Sequence, residues 1–135
     1  MKISEKAVEL HSKGYNCAQC VLLACSDHTG LSHQQAAAVA EGFGGGVKCG
    51  EICGAISGAV MAAGLALNAG SREDKMKVSG LTKEITETFR DKCGAVRCRE
   101  LKGKSISCNE LIALGAETAE RLLSQFHSEA FPFSS

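Results

Sequence analysis

Apolar residues recur three and four positions apart along most of this chain and hardly ever alternate, so the pattern predicts helices and no sheet. Ser4 is placed to cap a first helix that runs to about Lys13, with Ile3, Ala7 and Leu10 on one face and Gly14 as the stop. A second helix, Cys17 to about Asp27, is apolar nearly all round, as a buried helix should be. Ser32 and Gln35 make a capping box for a third, through Ala40. The glycine-rich stretch Gly42 to Gly50 then leads into a helix from about Gly54 to Asn68. Ser71 and Asp74 open a charged, amphipathic segment whose inward stripe is Met76, Leu81, Ile85 and Phe89, with Gly80 as a candidate break. A short turn of helix is expected from Cys98 to Leu101, ended by Gly103. The last helix, Cys108 to about Phe126, should bury Leu111, Leu114, Thr118 and Leu122. The expected fold is therefore all-α. One domain over residues 1–127 packs about five to seven helices around a cysteine-lined site, and residues 128–135 form a flexible tail.

The stretch from Ile52 to Ser71 carries no charged side chain and approaches the length of a membrane span. It is rich in glycine, alanine and serine and poor in the large apolar groups that drive insertion, so a buried central helix is the better reading. Gly54, Gly58, Ala62 and Ala66 lie four apart there, a stripe on which another backbone can approach closely.

Charge narrows the function classes. Fifteen basic residues balance fifteen acidic ones, and the chain has no Trp and one Tyr. A nucleic-acid surface needs an excess of positive charge and stacking rings, and neither is present. The N-terminus, Met1-Lys2-Ile3-Ser4-Glu5-Lys6, places charges where a secretory leader would be apolar, which predicts a cytoplasmic protein. A generous apolar fraction leaves room for a homodimer.

Eight cysteines are then the chemistry to explain. In a reducing compartment such clusters bind metal or do redox work more often than they form permanent bridges. Asn16-Cys17-Ala18-Gln19 and Ser107-Cys108-Asn109-Glu110 each read as a capping residue, a cysteine at the first helical position and a side chain that closes the cap. A thiol there should have its pKa lowered by the helix dipole. Cys53 follows the glycine loop and precedes the uncharged helix, and Cys98 opens the short turn. If these helix starts converge, Cys17, Cys53, Cys98 and Cys108 form one four-sulfur site. Cys49 and Cys93 are alternates, and Cys17 and Cys53 are the redox-thiol candidates. Cys20 and Cys25 read as small buried apolar residues. No strand precedes the Cys17/Cys20 pair as a thioredoxin-type motif requires, and no CxxCH exists for covalent haem. The glycine loop lacks the Gly-Lys-Ser/Thr ending of a phosphate-binding loop. The histidines His11, His28, His33 and His127 share no ligand spacing.

Asn16-Cys17-Ala18-Gln19, then Cys53-Gly54-Ala55-Ile56-Ser57-Gly58, then Cys98 and Cys108, resemble the C_GCAxxG_C_C group of redox-active proteins over about residues 14–110. The domain is also similar to the iron-sulfur-bearing part of split-Soret cytochromes. The resemblance puts the four family cysteines on Cys17, Cys53, Cys98 and Cys108, with Gly54 and Gly58 as the cofactor-binding glycines of the motif. Cys93-Gly94-Ala95 repeats part of that motif, so either Cys93 or Cys98 fills the third position. Family gene neighbourhoods imply a link to transport through a redox partner that the sequence does not identify. Three readings follow: an iron-sulfur cluster for electron transfer or sensing, a metal-free thiol-disulfide protein, or a four-cysteine zinc site.

Overall fold

The computed structural model describes residues 1–67 and 72–134, the side chains of residues 73 and 126–134 excepted. Eight α-helices occur among the described residues: α1 (Ile3–Ser12), α2 (Cys17–Ala24), α3 (Ser26–Thr29), α4 (His33–Ala40), α5 (Gly54–Ala66), α6 (Arg72–Cys93), α7 (Cys98–Lys102) and α8 (Cys108–Ser134). A 3₁₀ turn, Glu41–Phe43, and a tight loop through Gly46–Gly50 join α4 to α5. The only pairing of extended backbone among the described residues is an isolated antiparallel bridge between Ile52 and Arg97.

Local hydrogen bonding sets the helix starts. The Asn16 side chain accepts from the Gln19 amide at 3.0 Å while the Gln19 side chain accepts from the Asn16 amide at 3.0 Å, closing the predicted box at the head of α2. Ser32 and Gln35 do the same for α4. Ser4, however, lies inside α1 and is buried; the helix begins one residue earlier, and the Glu5 carboxylate accepts from the Lys2 amide at 3.3 Å. The expected second helix is divided, because Cys25 has φ −90° and ψ 14° and the chain turns there before α3. Gly80 does not break α6, which is continuous from Arg72 to Cys93. A lone helix-interior glycine costs only about 1 kcal/mol. The expected helix end at Asn68 and start at Ser71 lie outside the described residues. In its backbone, α8 continues past Phe126 to Ser134.

The centre of the bundle is α2, apolar on most of its surface and enclosed by α1, α4, α5 and α8. Leu22, Val21, Ile56, Phe89, Ile112 and Leu123 meet around it as fully buried side chains. On α6, Ile85 and Phe89 reach this core and Leu81 packs at its edge. Met76 does not, being 77 % exposed near the start of the helix.

Close helix approach follows from small side chains. A Cβ on Gly58 would stand 2.7 Å from the Ala18 carbonyl oxygen, and one on Gly54 would stand 3.0 Å from the Ala18 nitrogen. On α8, a Cβ on Gly115 would stand 2.9 Å from the Ala55 carbonyl oxygen. Helices α2, α5 and α8 are thus packed backbone to backbone, and each of them carries a cysteine at or just before its first residue. Helix α5, at 13 residues, is about 20 Å long at 1.5 Å per residue. No described helix is long and apolar enough to cross a membrane.

Candidate redox site

Thiols from four separated segments approach at one end of the bundle, three of them within electrostatic reach of one another and the fourth, Cys98, within reach of Cys53. Cys17 interacts with Cys53 and Cys108, and Cys53 with Cys98 and Cys108. Cys17, Cys98 and Cys108 each occupy the first residue of a helix, and Cys53 is the residue that caps α5. A Cβ on Gly54 would stand 3.2 Å from the Cys17 Cβ, which shows how tightly the starts of α2 and α5 meet. The heads of α2, α5 and α8 meet here, and Cys98 reaches the group through Cys53.

The remaining cysteines divide differently. Cys20 is fully buried, donates its S–H to the Tyr15 carbonyl at 3.4 Å and is sensed electrostatically by Cys17; Cys25 is fully buried too. Cys49 is exposed, and its thiol donates to the Gly46 carbonyl at 3.4 Å. Cys93 is half-buried among Glu110, Lys92 and Lys104. Of Cys93 and Cys98, it is Cys98 that Cys53 senses, together with Cys108.

The electrostatics run opposite to the dipole argument. Burial pushes the Cys17 thiol up to about 12, and the neighbouring Cys53, Cys108 and Cys20 sulfurs push the same way. Burial also raises Cys53, although the first-turn amides of Ala55 and Ile56 are directed at its sulfur and pull back. A helix N-terminus is worth up to about 2 kcal/mol in partly buried geometries, whereas removing a thiolate from water costs several pKa units. Desolvation wins, so the metal-free form holds Cys17 and Cys53 as neutral thiols.

Positioning groups surround the sulfurs. Asn16 Nδ2 donates to the Glu41 carbonyl at 2.8 Å and Gln19 Nε2 to the Ala37 carbonyl at 2.8 Å, tying the Cys17 turn to the end of α4. Across α1 and α8, His11 Nδ1 and Asn109 Oδ1 are 2.7 Å apart, beside Cys108. Ser107 Oγ accepts from the Glu110 amide at 3.1 Å, as the cap predicted. On the remaining side the Cys53 amide donates to the Val96 carbonyl at 2.9 Å, and the Cys98 amide to the Glu51 carbonyl at 2.6 Å.

Glu51, Arg97 and Arg99 were not visible as site residues in the sequence, where single charges read as solvated. Arg99 Nη2 donates to Glu51 Oε2 at 2.6 Å and to the Cys49 carbonyl at 3.0 Å, and its Nε to the Gly50 carbonyl at 3.3 Å. Arg97 Nε lies 3.6 Å from Glu51 Oε1. The one available signal was the placement of an arginine on each side of Cys98. The loop they hold turns in the left-handed sense at Gly45, Gly46, Val47 and Lys48, with φ of 67°, 66°, 59° and 61°. Gly46 is obligatory there, since a Cβ would stand 2.4 Å from the Glu51 nitrogen.

Four soft thiols beside helix-start amides are the donor set that an iron-sulfur cluster takes, and Gly54, flanking the Cys17 Cβ, keeps side-chain bulk out of that corner. Gly58 instead faces Ala18 and Val21, where its role is to admit α2. Among the described residues no group of three or more His, Cys, Asp or Glu is arranged to hold a single metal ion. No curated protein and no solved structure matches the chain. The model of one family, described as "Putative redox-active protein (C_GCAxxG_C_C)", matches residues 15–122. That match takes in all four gathered cysteines, and the chain belongs to the C_GCAxxG_C_C family.

Proposed function

We propose that Cys17, Cys53, Cys98 and Cys108 together hold an iron-sulfur cluster, making this a small electron-transfer or redox-sensing protein. The observation that carries the reading is the interaction of Cys53, buried and met by the first-turn amides of Ala55 and Ile56, with Cys98 and Cys108, and of Cys17 with Cys53 and Cys108. Such a cluster supplies reversible one-electron chemistry. The chain's own part is to take the ligands' charge out of water and to offset it with the first-turn amides of α2, α5 and α8. Burial, which raises the Cys17 and Cys53 thiols, would also limit solvent around a bound cluster on that side.

The alternatives fit less well. A metal-free thiol-disulfide protein needs a thiolate near neutral pH, and Cys17 raised to about 12 is a poor nucleophile there. Tetrahedral zinc requires its four ligands to meet at one atom. A multinuclear cluster spreads four thiolates over several irons, so its sulfurs need not meet at one atom.

Anaerobic purification with visible absorption and metal and sulfide analysis tests the reading. Iron with acid-labile sulfide and a broad visible absorption is expected. A colourless protein with stoichiometric zinc, or a metal-free one with eight titratable thiols, would overturn it.

A further inference from the structure

Three of the four cysteines are fixed by the bundle itself, and the fourth is not. Cys17, Cys53 and Cys108 stand at the heads of α2, α5 and α8, which pack closely through Gly54, Gly58 and Gly115. Cys98 opens the five-residue α7, whose contribution to the core is the single buried side chain of Leu101. Besides the core packing of Ala95, Val96 and Leu101, the Cys98 segment is joined to the site by the short Ile52–Arg97 bridge and the contacts of Arg99 and Arg97.

We propose that Arg99 and Glu51 are the positioning residues of the site, a surface latch that holds Cys98 against Cys53. Arg99 binds three successive residues of the loop leading to Cys53: the carbonyls of Cys49 and Gly50 and the carboxylate of Glu51. Glu51 is engaged at both ends. Its backbone carbonyl accepts from the Cys98 amide, and its carboxylate meets both Arg99 and Arg97. Two residues beyond it, the Cys53 amide is held by Val96. The planar guanidinium fork suits this work, because it satisfies carboxylate and carbonyls together in one fixed geometry.

The latch is exposed, with 58 % of the Arg99 and 42 % of the Glu51 side-chain surface open to solvent. Salt therefore reaches it, and it can open without unfolding the core. In that open state Cys98 leaves the other three thiols, which makes this ligand the one through which the site is filled and emptied. As a statement about cluster retention this rests on the proposed function; as a statement about the Cys98 segment it does not.

Hydrogen exchange read by mass spectrometry on the full chain as purified separates the two. In Arg99→Ala, peptides covering residues 96–104 should exchange at least about tenfold faster, the loss expected for charge-assisted bonds. Peptides from α2 and the buried part of α8 should be unchanged. Arg99→Lys, which keeps the charge and loses the fork, should fall between. Raising ionic strength should speed exchange of 96–104 in the wild type and have little further effect in Arg99→Ala. Wild-type exchange at 96–104 in Arg99→Ala, or an equal rise across the whole chain, would overturn the latch. Iron release to a ferrous chelator should then be faster in Arg99→Ala in step with the exchange. If the wild-type protein carries no iron, the cluster reading fails while the exchange data still decide the latch; if iron is present and its release is unaffected by Arg99→Ala, the latch has no role at the site.

Discussion

Adding one methyl group at Gly58 should disturb the site from a distance, and the same change six residues further along α5 should not. At Gly58 the new Cβ would stand 2.7 Å from the Ala18 carbonyl oxygen and 3.0 Å from the Val21 Cβ, both on α2. The first of these is a backbone atom and cannot swing aside. Overpacking of this kind costs about 1–3 kcal/mol, against a gain of roughly 1 kcal/mol from replacing a helix-interior glycine by alanine. If the contact must open by several tenths of an ångström, the upper half of the overpacking range applies, and Gly58→Ala should destabilise by about 1–2 kcal/mol net. At Gly64 a Cβ meets nothing within 4 Å. There only the propensity gain remains, so Gly64→Ala should stabilise by up to about 1 kcal/mol. Urea unfolding measures both through the midpoint and slope. Because α2 carries Cys17 one residue before Ala18, Gly58→Ala should also lower cofactor retention while Gly64→Ala leaves it intact. Shifts of the same sign in the two variants would refute the close-packing argument.

Replacing Cys17, Cys53, Cys98 or Cys108 by Ser should abolish iron retention, measured by metal analysis, whereas Cys20→Ser and Cys25→Ser should retain iron and lose about 1–3 kcal/mol of stability by burying a hydroxyl. In the metal-free chain at neutral pH, exposed Cys49 should alkylate well before Cys17 and Cys53, as followed by site-resolved mass spectrometry; a Cys17 that reacts first would show that the dipole outweighs burial after all. The raised Cys17 pKa also fixes a sign for stability against pH. Above the ordinary thiol value of 9.0 the unfolded chain releases a proton that the folded metal-free chain keeps up to about 12, so stability should fall as pH rises through that window. Unfolding midpoints of the metal-free chain that stay flat from pH 9 upward would contradict the burial.

The helix heads could be read from the sequence because their determinants are local. Asn16 with Gln19, and Ser32 with Gln35, close boxes within four residues, and no distant partner has to be known. Cys17 stands at one such head, whereas Cys53 and Cys98 stand at helix starts with no side-chain cap, so their approach rested on position alone. The direction of the thiol pKa could not be read from the sequence. It depends on how much protein encloses the sulfur, a sum over distant elements, and the dipole that the sequence does reveal is the smaller effect. Ser4 failed as a cap because the cap falls two residues earlier, at Lys2, where Glu5 supplies the reciprocal bond. Met76 failed as a core residue because the helical period gives a face but not where along its length that face meets the bundle. The Arg99–Glu51 contact joins residues 48 apart, and nothing in the charge pattern of either segment names the other.

The backward-turning loop before α5 sets a limit on how this end of the molecule can change. Four consecutive residues there share one handedness, two of them, Val47 and Lys48, bearing side chains that resist it. A loop of ordinary hand could give way a few degrees at a time, but here partial relaxation of one residue would leave its neighbours misaligned. The segment should therefore resist gradual deformation, and a D-amino acid placed at position 47 would favour the conformation described.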